Sequence, residues 1–162
     1  MILSIHFIAG AAAISTITNP FLGIISAFLS HFLLDILPHQ EYSILNIRHG
    51  QWQDAFTDFL KISLDLSFGF LIVILFAKNL FLGLLGGFVA LVPDGITFLS
   101  FVYPKNKLFG QIESFQDSRL HIDSVENYKI KNNPDKRFLA FLTLLEQLAI
   151  ILTAIFFLVK SS

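Results

Sequence analysis

Residues 2–37 read ILSIHFIAGAAAISTITNPFLGIISAFLSHFLLDIL. The first apolar run, 2–18, is closed by Asn19-Pro20, and the second, 21–37, by Pro38. Each has about 17 residues, the short end of what crosses a hydrocarbon core of ~30 Å. The pair predicts a tight helical hairpin. Its Ala-Gly-Ala-Ala-Ala stretch would let a neighbouring helix approach closely. Within the second run, SHFLLD carries His31 and Asp35 four residues apart, one turn apart on one helix face.

The rest of the chain extends this pattern. Of 162 residues, 54% are hydrophobic and 14% charged, against about 25% charged in an ordinary soluble domain. Mean hydropathy is +0.70. Lipid is therefore the expected solvent. Further spans are read at 58–77, 80–103 and 138–159, with a polar segment at 104–137 that holds interfacial helices. The expected fold is all-α, a single membrane domain of about five spans. The absence of Cys excludes disulfides, Cys-ligated zinc and thiol nucleophiles. A net charge of −1 gives no reason to expect nucleic acid.

Lys and Arg set the orientation. Arg48, Lys61, Lys105, Lys107, Arg119, Lys129, Lys131, Lys136 and Arg137 fall on one side, and Lys78 and Lys160 on the other. That bias predicts an inner (plasma) membrane protein with its N-terminus cytoplasmic and its C-terminus outside.

Ionisable groups inside spans are costly and become candidates for function. At 1.5 Å per residue, His6, His31, Asp35, Asp65 and Asp94 all fall within about 13 Å of the cytoplasmic ends of their spans. Pro93 and Gly95 loosen the helix around Asp94. His39 and His121 lie on cytoplasmic segments able to fold over this layer. Carboxylates packed together repel and protonate unless a cation intervenes. Histidines with aspartates form a ligand set for zinc, manganese or iron. Structural readings compete: His31 with Asp35 as an intrahelical pair, Asp65 paired with Lys61, and Asp94 as a helix cap after a proline break.

SHFLLDILPH and LVPDGITFLS, with an early His in the first span, resemble the membrane-bound metal-dependent hydrolases of bacterial inner membranes. The resemblance covers spans one to four loosely. It implies a divalent-metal site at His31, Asp35 and Asp94, with His6. Those proteins usually carry an HRG-x-THS-like element, which the nearest stretch here, IRHGQW, does not reproduce; His39 or His121 would take its place. The expected activity is hydrolysis of a lipid or phosphoester from the cytoplasmic leaflet. Asp65 is a further ligand in this reading, and His39 or His121 a proton shuttle. Lys105, Lys107 and Arg119 would hold an anionic headgroup. The alternatives are an ion- or proton-coupled transporter and a non-catalytic assembly factor.

Overall fold

The computed structural model describes residues 2–37, 42–119 and 135–160, and among these every regular element is a helix. The hairpin is α1 (Leu3–Ser15) and α2 (Pro20–Ile36). A one-turn α3 (Leu45–Arg48) and a single 3-10 turn (Trp52–Asp54) lead into α4 (Phe56–Phe76). Then follow α5 (Leu80–Ala90), α6 (Val92–Val102), α7 (Lys107–Arg119) and α8 (Asp135–Lys160).

Local chemistry sets the breaks. Ser15 and Thr16 turn their hydroxyls back to the carbonyls of Ala11 and Ala13 as α1 ends. Asn19 then caps α2, accepting from the N–H groups of Phe21 and Leu22, and Pro20 opens the helix. Asn79 caps α5 the same way through Leu82 N–H. The break at Leu91 bends α5 against α6 by 45°.

The central element is α1, which packs against α2, α4, α5 and α8. Phe7, Ile8, Ala11, Ala12 and Ile14 are all buried, and a helix apolar on all sides buries all of them. Phe7, Ile8, Ala11 and Ala12 form one core cluster with Val73 of α4 and with Ala154 and Leu158 of α8. The closest crossing is with α5, at facing glycines. A Cβ on Gly10 would sit 2.5 Å from the Gly86 carbonyl oxygen, and a Cβ on Gly86 would sit 2.5 Å from that of Gly10. The small-residue stretch of α1 thus serves backbone-to-backbone packing.

Five full-length spans are not what the helix lengths give. Two segments are long and apolar enough to cross a membrane, α4 and residues Phe141–Lys160 of α8, and the bent α5–α6 pair qualifies as a third. The other two apolar helices are shorter. With 13 residues α1 spans about 20 Å, and α2 with 17 about 26 Å. The polar Ser15-Thr16 end of α1 accounts for the shortfall.

Candidate metal centre

Three helices bring four ionisable side chains to one buried point. His6 lies in the first turn of α1, and His31 and Asp35 lie one turn apart near the end of α2. Asp94 is the third residue of α6, just past the break at Leu91. None is more than 4% exposed. His31 Nε2 lies 3.1 Å from Asp35 Oδ2 and 3.7 Å from Asp94 Oδ1, and His6 Nε2 lies 3.4 Å from Asp35 Oδ1. The two imidazoles sit face against face at 4.3 Å, tilted by 35°. His6, His31 and Asp94 each offer a ligand atom within 4.8 Å of the others.

These spacings suit a shared cation. Donor atoms about 2.0–2.1 Å from a tetrahedral ion stand about 3.3 Å apart. The observed 3.1, 3.4 and 3.7 Å bracket that value. Imidazole nitrogen with carboxylate oxygen is also the donor mix that zinc, manganese and iron accept. Two buried carboxylates beside two imidazoles, removed from water, are costly unless their charge is balanced. The residues present fit a divalent metal.

The structure places the other sequence candidates elsewhere or leaves them aside. Asp65 does not join the cluster; its carboxylate accepts from the N–H groups of Leu3 and Ser4, the Ser4 hydroxyl and the Tyr42 hydroxyl. It serves the first turn of α1, and that turn carries His6. Lys61 does not pair with Asp65: its ammonium lies 3.6 Å from Asp58 and donates to the Ser43 carbonyl. Asp94 is not the cap of α6, since Leu91 holds that position. His39 and His121 lie outside the described residues.

Sequence reasoning passed over Asp58, which is 2% exposed and accepts from the backbone N–H groups of Asn46 and Ile47. It pins the segment between α2 and α4 against α4. Asp58, Lys61 and Asp65 recur at i, i+3 and i+7, one stripe of a helix, and that stripe was the available signal.

Two spaces adjoin the cluster. A crevice of about 20 Å³ runs between His6, Glu146 and Gln147, enough for one water molecule. A larger cavity of about 280 Å³ has Asp94 in its wall. No protein-family model, no curated protein and no solved structure matches the chain.

Proposed function

We propose that the chain is a polytopic membrane protein of about five crossing segments. In this reading its buried His–Asp cluster holds a divalent metal and hydrolyses a lipid or phosphoester at the cytoplasmic leaflet. The observation that carries this is that donor atoms of His6, His31 and Asp94 lie within 4.8 Å of one another, with Asp35 3.1 Å from His31 and 3.4 Å from His6. The ligands would be these four residues. When bound, such an ion supplies Lewis acidity and a water acidic enough to ionise near neutral pH. His31, placed between the two carboxylates, holds both of them in register, while α1 and α6 close the site from either side. The large apolar faces of α2, α4 and α8, with Phe21, Leu33, Leu64, Leu75 and Phe156 exposed, are supported as lipid-facing because water would penalise them. The Lys and Arg bias supports an inner-membrane protein with a cytoplasmic N-terminus.

The test is metal content of the purified protein beside Asp35→Ala and Asp94→Ala. Stoichiometric metal in the wild type, lost in both variants while each still inserts, is the expected result. Full retention in both variants overturns the reading. A transporter remains the second reading, favoured by the 45° bend next to Asp94, because broken helices line many ion sites. Metal-dependent flux into sealed liposomes without any hydrolysis would decide for it.

A further inference from the structure

The geometry points to the 280 Å³ cavity beside Asp94 as the seat of a hydrocarbon chain, so that the ligand is an amphiphile whose polar end reaches Asp94. This rests on the reading of the His–Asp cluster as the chemical centre, and it names the class of molecule that the centre acts on.

The cavity lies between the start of α1, the segment before α3, α4 and α6. Its wall is formed mainly by Phe59, Ile62, Leu91, Phe98 and Phe101, and among the described residues Asp94 is the one Asp, Glu, Lys, Arg or His lining it. The Phe59 and Phe98 rings meet edge to face at 6.3 Å. Such a lining offers little to a sugar or a nucleotide and much to methylenes. The Phe59 side of the wall is 41% exposed, so the space of about 280 Å³ opens outward there and a chain can enter from the lipid. The charge pattern fixes its direction. Asp94 belongs both to this wall and to the cluster around His31, so the polar end of the chain meets the ligand set and the tail runs away from it. The segment over the cavity is held in place by Asp58 on the Asn46 and Ile47 amides and by Lys61 on the Ser43 carbonyl. The space is therefore built rather than left open by a loose loop.

The experiment is photolabelling of the metal-free protein in nanodiscs with a diazirine-bearing primary alkanol, whose hydroxyl can donate to Asp94. Labelled residues are mapped by mass spectrometry. Insertion is expected at Phe59, Ile62, Phe98 or Phe101. Unlabelled alkanols should compete with potency rising about fourfold per methylene and levelling off once the tail outgrows the lining, whereas partition into lipid continues to rise. Gly95→Phe is the filling variant, since a Cβ at Gly95 meets nothing within 4 Å; it should abolish labelling there and leave metal binding intact. Phe98→Ala should move the cut-off to longer chains. Labelling spread over outward residues such as Leu64 and Leu71, unchanged by Gly95→Phe, overturns the inference, and so does the absence of a cut-off. Metal content of the same protein, assayed before the metal is removed for labelling, separates the two readings. Metal without cavity labelling sinks the tail site alone, and cavity labelling without metal sinks the metal site alone.

Discussion

The Asp65 carboxylate accepts a hydrogen bond from the Leu3 backbone N–H at 2.6 Å. That contact joins α4 to the open end of α1, where N–H groups have no partner inside the helix. Three residues further on stands His6. A capping carboxylate therefore positions one of the cluster's imidazoles without touching it.

Asp65→Ala should destabilise the protein by about 1–3 kcal/mol, because the α1 amides and Tyr42 lose their acceptor. Asp65→Asn keeps one acceptor oxygen and should recover much of that loss. Thermal unfolding in detergent reads the stability. Metal titration should show weakened affinity but unchanged stoichiometry in both variants. Loss of stoichiometry in Asp65→Asn, equal to that of Asp94→Ala, would make Asp65 a ligand after all.

Within the cluster, His31 stands near both carboxylates and His6 near one. Removing one partner from a buried charged group costs about 3–5 kcal/mol. In the metal-free protein, His31→Ala should therefore lower stability by about 3 kcal/mol, and His6→Ala by less. Chemical unfolding of the two variants side by side checks the order.

Gly10 and Gly95 predict opposite outcomes for the same substitution. At Gly10 a new Cβ runs into Ala90 and the Gly86 carbonyl, so Gly10→Ala should cost about 1–3 kcal/mol through overpacking. At Gly95 the space is open, and Gly95→Ala should gain up to ~1 kcal/mol from helix propensity. Melting curves of the two single variants suffice.

Asp58→Ala should release the segment between α2 and α4. Cleavage by a soluble protease near residues 43–55 should accelerate at least tenfold, with metal content unchanged. If cleavage does not change, the amides of Asn46 and Ile47 are held by something other than this carboxylate.

Much of this arrangement could be read from residue order. Asn19-Pro20 and Asn79 mark helix starts, and the glycine and alanines of 9–13 mark a close crossing. The common depth of His6, His31, Asp35 and Asp94 follows from helix rise alone, because distance along an axis is fixed at 1.5 Å per residue. Rotation about the axis is not visible in that count. Asp65 shows the difference: it lies near the same end as the cluster, yet it points at the α1 terminus. The first helix was over-read for a related reason, with 13 residues against the 17 expected, whereas α2 has its 17. The apolar run continues to Ile17, whereas the helix ends at Ser15, where the Ser15 and Thr16 hydroxyls fold back on the backbone. The cavity beside Asp94 depends on how α4 and α6 splay, and no short motif records that.

The double membership of Asp94 has a thermodynamic consequence. One carboxylate cannot be adjusted for the neighbour on one side without altering what the other side meets. Whatever factor an occupant of the cavity contributes to the affinity of the His–Asp cluster for its ion, the ion must return to the occupant. In the proposed reading the shared Asp94 makes the two spaces linked sites, and a protein starved of either partner would hold the other less well or better by the same ratio.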